Sequence, residues 1–206
     1  RKRIVFKVIP MVNPDGVIIG NYRTSLAGCD LNRRYDYPDY RFHPTVWSIK
    51  NLTEDLQNGK TFINIDKPQV VEDNVLAFID MHGHSRKKSV FMYGPSVPMH
   101  NMQYLKMRVI PRLLAEETDM FRYHSCRFQN EPNKKGTARV LINKEFNVTN
   151  CFTLEASFHG YFDRDNINYE FTPQRYEEMG VNLVNSLYEY VVIMEQEEKR
   201  RHEKKV

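Results

Sequence analysis

The sequence predicts an α/β fold with a mixed, mostly parallel sheet flanked by helices. Apolar runs rich in β-branched residues alternate along the chain with longer amphipathic stretches, as strands alternate with helices. Several of these runs are apolar at every position rather than at every second one, which is typical of strands covered by helices on both faces. The alternation and the continuous apolar runs together favour this fold class.

Five short runs are predicted to form strands. The first ends at the turn sequence Asn13-Pro14-Asp15-Gly16, and the second leads directly into His82-Gly83-His84. The predicted strands are Ile4 to Val12, Val75 to Met81, Ser89 to Tyr93, Ala138 to Ile142 and Cys151 to Leu154.

Three stretches are predicted to form helices. The first two run from Thr45 to Leu56 and from Met102 to Glu117, and Pro111 is expected to kink or split the second. The third begins at Thr172-Pro173, a cap residue followed by proline at the first helical position. Its predicted buried face consists of Val184, Leu187, Tyr188, Val191 and Met194.

Length and composition bound the class of protein. The 206 residues, of which 41% are hydrophobic, are enough for one domain with its own core. We assign residues 1–195 to that domain and residues 196–206 to a mixed-charge tail, which forms either a solvated helix extension or a disordered end. Since no apolar run approaches the length of a membrane span, and the net charge is only +4, we expect neither membrane insertion nor nucleic-acid binding.

The cysteines indicate a reducing compartment. There are three, they are widely spaced, and no two form a Cys-x-x-Cys motif. Neither a disulfide framework nor a cysteine zinc site is therefore predicted.

Three polar clusters follow predicted strands, at the sheet edge where α/β proteins gather their active sites. The first comprises residues 13–16 with Arg23 and residues 30–34, the second residues 80–88, and the third residues 152–155. Taken singly, each has a simpler explanation: a turn, a surface pair, a histidine bonded to the backbone, or an ion-pair partner. Their conjunction and order favour a functional interpretation.

The residue types suit a metal-dependent exopeptidase. Glu155, at the end of an apolar run, suits general-base catalysis, and His82 can coordinate a metal through one imidazole nitrogen. Arginines with Asn32 can hold a carboxylate through charge-assisted hydrogen bonds. A metal ligand, a base and a carboxylate-binding group are the components that removal of a C-terminal residue requires.

Longer motifs carry a family resemblance. They are Pro10 to Val17, Asn21-Tyr22-Arg23 with Asp30-Leu31-Asn32-Arg33, Asp80 to Lys88 with Val90 to Gly94, Gly136 to Val140, and Phe152 to Ser157. In these motifs the chain resembles the cytosolic carboxypeptidase family, a branch of the M14-type zinc carboxypeptidases. The resemblance extends from about residue 4 to about residue 195.

The resemblance implies roles for particular residues. His82 would be the third zinc ligand, and Glu155 the base that deprotonates the zinc-bound water. Asn32 and Arg33 would hold the C-terminal carboxylate of the substrate, and Arg23 would stabilise the oxyanion.

Arg139 lies in the stretch that lines the side-chain pocket of related enzymes. It is predicted either to bind a C-terminal glutamate or to be a surface arginine on an edge strand. The two interpretations remain equally open at the level of sequence.

One family motif is absent from the sequence. The resemblance implies a His-x-x-Glu pair before the Asn-Pro-Asp-Gly block, supplying the first two zinc ligands, and no His-x-x-Glu occurs in these residues. We expect the pair upstream, so that residues 1–195 form a partial catalytic domain without its N-terminal part. Such a fragment would by itself be inactive.

The resemblance implies a zinc metallocarboxypeptidase that removes C-terminal glutamate from polyglutamylated or acidic protein tails, such as those of tubulin. A cytoplasmic, cytoskeleton-associated location accompanies that expectation. One alternative is an inactive module that binds acidic C-terminal tails, and another is a zinc-dependent amidohydrolase acting on small acyl-amino acids.

Overall fold

The computed structural model describes residues 4–59 and 75–203, and these form a mixed α/β structure that confirms the predicted fold class. The helices are α1 (Pro14–Ile19), α2 (Pro44–Gln57), α3 (Gln103–Glu117), α4 (Ala138–Phe146) and α5 (Pro173–Glu203). The strands are β1 (Ala77–His84), β2 (Val90–Tyr93), β3 (Asn150–Ser157), β4 (Gly160–Phe162) and β5 (Asn168–Glu170).

The chain divides into two compact units, each discontinuous in sequence. The first contains the described residues up to Asp80 together with Gly94–Ser96 and Gln129–Phe152. The second contains Met81–Tyr93, Val97–Phe128 and the described residues from Thr153 onward. The predicted boundary after residue 195 falls within α5, which continues as a helix with exposed side chains from Gln196 to Glu203.

Three strands form the main sheet, in the order β1-β3-β2. The β2 and β3 strands are antiparallel, with Phe91 opposite Glu155 and Tyr93 opposite Thr153. The remaining two strands, β4 and β5, form a separate antiparallel pair. β3 is thus the central strand of the main sheet.

The core of the first unit lies between α2, α4 and residues around them. Its buried members include Leu31, Tyr35, Val46, Ile49, Ala138, Leu141, Ile142 and Cys151. Lys50 of α2 links parts of this core, because its ammonium group donates a 2.7 Å hydrogen bond to the carbonyl of Tyr35 and forms a 2.7 Å ion pair with the carboxylate of Glu145 on α4. The side chain of Lys50 is only 14% exposed, whereas that of Glu145 is 36% exposed, so the lysine side of the pair is the shielded one.

The core of the second unit is built on β2 and on the packing of α3 against α5. Val90, Phe91 and Met92 of β2 are fully buried. Helix α3 buries Met107, Ile110, Pro111, Leu113 and Leu114, and α5 buries Met179, Leu183, Ser186, Leu187 and Tyr190. The α5 positions recur at the spacing of one helical face.

Two of the five strand predictions are wrong. Residues 4–12 form no strand, because within the described chain no strand lies beside them, and Val5, Phe6, Val8 and Ile9 are exposed. Ala138 to Ile142 belong to helix α4, not to a strand. A five-residue apolar run has no periodicity that separates a buried strand from a buried helix.

Three details of the helices also differ from expectation. Residues 14–19 form the short helix α1 in place of a turn, because the side chain of Asn13 accepts a hydrogen bond from the Gly16 amide and Pro14 occupies the first helical position. Pro111 lies inside α3 without splitting it. The buried face of α5 shares only Leu187 with the predicted face, and Val184 and Tyr188 are exposed.

Across the described ranges, no helix combines the length and apolar character that crossing a membrane demands.

Candidate active site

Asp30 organises two of the predicted site arginines in the first unit. The Nε and Nη2 atoms of Arg23 both donate to Asp30 Oδ2, at 3.0 and 2.8 Å, and Nη1 of Arg33 lies 3.7 Å from the same oxygen. The other carboxylate oxygen, Oδ1, accepts a 2.9 Å hydrogen bond from the backbone amide of Asn32, at the start of the 3-10 helix Leu31–Arg33. One carboxylate therefore fixes both guanidinium groups and the backbone between them.

Asn32 holds its surroundings together through its side-chain amide. Its Nδ2 donates to Asp80 Oδ2 at 2.9 Å, and its Oδ1 accepts from the backbone amide of Ala138, the first residue of α4, at 2.9 Å. Asn32 thus caps a helix that begins 106 residues later in sequence. Burial and the nearby Asp80 carboxylate raise the pKa of the Tyr35 phenol far above its usual value, so this side chain stays neutral.

Arg139 is a buried residue of α4, only 5% exposed, and not a surface arginine on an edge strand. Its guanidinium group donates long hydrogen bonds to two backbone carbonyls, from Nε to Gly94 at 3.5 Å and from Nη2 to Gln129 at 3.4 Å. A buried guanidinium retains its charge, since its pKa lies far above neutrality. Arg139 therefore contributes a positive field from inside the first unit.

Lys134 is a fourth cation in this region, and sequence reasoning assigned it no role. Burial and the positive charges of Arg33, Arg23 and Arg139 lower the pKa of its ammonium group, against a smaller opposing effect of Glu131. We call Arg23, Arg33, Lys134 and Arg139 the cationic cluster. The Lys134-Lys135 pair before Gly136 was the available sequence signal, but two lysines in a loop are common.

The backbone brings Lys134 close to Arg33. The Tyr35 amide donates to the carbonyl of Gly136 at 3.2 Å. A Cβ atom placed on Gly136 would lie 2.8 Å from the carbonyl oxygen of Arg33, closer than Cβ atoms approach in practice. Only glycine permits this approach of the two chain segments.

His82 and Glu155 both belong to the second unit and lie on neighbouring strands of the main sheet, His82 on β1 and Glu155 on β3. Each is half-buried, and each lies within its strand and not at the strand end, where the sequence had placed both. Half-burial leaves both side chains partly accessible to solvent. This suits a metal ligand and a base, respectively.

Two lysines of the basic run that follows β1 are anchored on aromatic rings. The ammonium group of Lys87 lies 4.8 Å from the centre of the Phe91 ring. That of Lys88 lies 4.4 Å from the centre of the Phe162 ring and donates a 2.6 Å hydrogen bond to Asn168 Oδ1. These contacts hold the charges in place at the surface.

Among the described residues, no group of three or more histidine, cysteine, aspartate or glutamate side chains is arranged to hold a metal ion. His82 offers one imidazole donor, whereas catalytic zinc sites use three protein ligands. The donors in the described chain therefore do not fit a complete zinc site.

Comparison with known proteins finds relatives that share one family name, the cytosolic carboxypeptidases. The chain is 38% identical over 192 residues to cytosolic carboxypeptidase 3 of Bos taurus and 36% identical over 191 residues to cytosolic carboxypeptidase 2 of Xenopus tropicalis. Each alignment covers 92% of this chain, but this chain spans only 18% of the length of either relative. No protein-family model matches the sequence.

Solved structures share the fold. A metallo-carboxypeptidase from Burkholderia cenocepacia superimposes with a TM-score of 0.69 and 21% identity, over 90% of this chain and 44% of the other. One from Pseudomonas aeruginosa, in complex with (2-guanidinoethylmercapto)succinic acid, gives a TM-score of 0.68 and 23% identity, over 91% and 45%. The chain thus shares its fold with about half of each of these metallo-carboxypeptidases.

Proposed function

Since the chain belongs to the cytosolic carboxypeptidase family, matching one segment of its members, we propose that the protein carrying it is a metallocarboxypeptidase that hydrolyses C-terminal peptide bonds. The observation that supports this most directly is the arrangement around Asp30, which holds Arg23 and Arg33 side by side. Paired guanidinium groups suit a carboxylate ligand, and a C-terminal residue is the part of a peptide that has one.

This arrangement supports the binding roles that we propose. Arg33 and Asn32 bind the C-terminal carboxylate, with Asn32 acting mainly through the position it gives the 3-10 helix Leu31–Arg33. Arg23 meets the negative charge that develops on the scissile carbonyl oxygen during the reaction. Its two bonds to Asp30 orient the guanidinium before substrate arrives, which reduces the cost of ordering it during the reaction.

Glu155 is the proposed general base, which accepts a proton from the attacking water. Zinc is the proposed cofactor of the whole protein, with His82 as one ligand and the others expected from a His-x-x-Glu pair outside this sequence. The described residues by themselves supply no complete metal site.

The proposed substrates are acidic C-terminal tails, including polyglutamylated tails such as those of tubulin, in the cytoplasm. The cationic cluster favours such substrates, because four positive side chains lie near one another in the first unit. Arg139 supports this preference through its buried charge.

A second candidate is a module that binds acidic tails without cleaving them. One observation favours it: the carboxylate-binding side chains lie together in the described chain, whereas three metal donors do not. A complete protein without the His-x-x-Glu pair would fit this alternative.

The test compares this chain with a version extended upstream through the expected His-x-x-Glu pair. Zinc content is measured by atomic absorption, and amino-acid release from a peptide ending in four glutamates is followed by chromatography. We expect only the extended version to bind one zinc per chain and to release glutamate. An extended version that binds the peptide but neither holds zinc nor releases glutamate would establish the binding module instead.

Glu155→Gln in the extended version tests the proposed base. General-base catalysis contributes about 10²- to 10⁴-fold, so we expect a loss of that size with an unchanged circular dichroism spectrum. Glu189→Gln, on the exposed side of α5, removes the same charge away from β3 and should leave the rate unchanged.

A further inference from the structure

Lys134 is the one member of the cationic cluster whose charged group is unpaired within the described chain. Arg23 and Arg33 are bound to Asp30, and the guanidinium of Arg139 is buried against backbone carbonyls. The ammonium group of Lys134 has no hydrogen bond or ion pair to any described residue. A cation left in this state can gain a full ion pair when an anion binds.

The position of Lys134 relative to Arg33 suggests which anion that is. Among the charges that act on Lys134, Arg33 has the largest effect. The close approach of Gly136 to the Arg33 carbonyl and the bond from Ala138 to Asn32 hold the loop that carries Lys134 against the segment that carries Arg33. A ligand with two carboxylates on one residue can therefore engage Arg33 with one and Lys134 with the other.

We propose that Lys134 binds the side-chain carboxylate of an acidic C-terminal residue while Arg33 holds its main-chain carboxylate, which makes Lys134 a specificity determinant. This inference rests on the proposed function. Arg139 cannot make the same contact without giving up the carbonyls of Gly94 and Gln129, whereas Lys134 has only the attraction of Glu131 to exchange for that of a ligand. The burial that disfavours its charge in the free protein is offset once a carboxylate lies beside it.

The experiment uses two peptides that differ only in their last residue, acetyl-Glu-Glu-Glu and acetyl-Glu-Glu-Leu. Their affinities for the extended protein carrying Glu155→Gln, which does not consume them, are measured by calorimetry. We expect Lys134→Gln to lower the affinity for the glutamate-ending peptide about tenfold and the affinity for the leucine-ending peptide less than twofold. The reason is that one charge-assisted contact is lost with the first peptide alone.

The matched control is Lys135→Gln, which removes the same charge from the next residue, whose side chain is exposed. It should lower the affinity for both peptides slightly and equally, because it changes only the long-range electrostatic attraction to an acidic peptide. Lys134→Arg should keep most of the preference for glutamate. Equal weakening of both peptides by Lys134→Gln, or the same effect from Lys134→Gln and Lys135→Gln, would overturn the assignment.

Failure of this inference differs from failure of the proposed function. If the extended wild-type protein releases residues from both peptides and Lys134→Gln leaves their ratio of kcat/KM unchanged, the enzyme stands and the role of Lys134 falls. If the wild type binds neither peptide, both proposals fall.

Discussion

The side-chain amide of Asn32 donates a 2.9 Å hydrogen bond to the carboxylate of Asp80, the residue that ends the first unit's part of β1. The same amide caps α4 by accepting from the Ala138 backbone amide. Asn32 therefore joins three segments that are far apart in sequence. The predicted carboxylate-binding residue is also a structural residue of the first unit.

We expect Asn32→Ala to destabilise the protein by about 1–3 kcal/mol, because it removes both bonds and leaves the Ala138 amide without its cap. Asn32→Asp should lower the free energy of unfolding further at neutral pH, since it places a second carboxylate next to that of Asp80 and the two repel each other. Urea unfolding followed by circular dichroism measures both. An Asn32→Asp protein as stable as the wild type would show that the Asp80 contact contributes nothing.

Gly136→Ala should disturb the carboxylate-binding segment. Its Cβ would meet the Arg33 carbonyl at 2.8 Å, and because the obstacle is backbone, the two segments must move apart. We expect a loss of stability of about 1–3 kcal/mol and weaker binding of glutamate-ending peptides.

Gly180→Ala is the matched control for this change. Gly180 lies in α5, and a Cβ there meets nothing within 4 Å. We expect a gain of about 0.5–1 kcal/mol from helix propensity, with peptide affinity unchanged. Thermal unfolding of the two variants side by side tests whether the unfolding temperature falls for Gly136→Ala and rises for Gly180→Ala. Equal shifts of the unfolding temperature would contradict the steric argument.

The sequence predicted the elements whose pattern is local. Helix α2 and strand β2 follow their predicted bounds within a residue or two, since an amphipathic stretch that begins after a proline and an apolar run between turns are both visible in sequence. Helix α4 was mistaken for a strand because its five-residue apolar run has no distinguishing periodicity, and the Asn32 contact that holds its first turn comes from 106 residues away. No local pattern could show that contact.

The candidate site was predictable to a similar extent. The sequence motifs indicated Arg23, Asn32 and Arg33, and the structure brings these three together around Asp30. Asp30 stood inside the quoted motif without a role, because its function is to hold other side chains. Lys134 became visible only through the fold of residues 134–138 against the segment of Arg33.

Lys50→Met should destabilise the first unit by about 1–3 kcal/mol. The change leaves the Glu145 carboxylate and the Tyr35 carbonyl without their shared donor, and the side chain of Lys50 is largely shielded from water. The double variant Lys50→Met/Glu145→Gln should recover part of the loss, because no unpaired carboxylate remains. Chemical unfolding of the single and double variants measures the coupling, and strict additivity would show that the pair makes no net contribution.

The three cysteines should differ in reactivity. Burial raises the pKa of the Cys126 thiol to about 11 and raises that of Cys151 well above its usual value, whereas Cys29 is only half-buried. Because the thiolate is the reactive form, only about one Cys126 thiol in a thousand is ionised at pH 8. We expect iodoacetamide to modify Cys29 first at pH 8, and the rate of modification at Cys126 to keep rising with pH until the pH passes about 11.

Mass spectrometry of tryptic peptides distinguishes the three sites. Rapid modification of Cys126 at pH 8 in the folded protein would contradict the burial that raises its pKa, and a urea-unfolded sample, in which the three thiols should react alike, is the control.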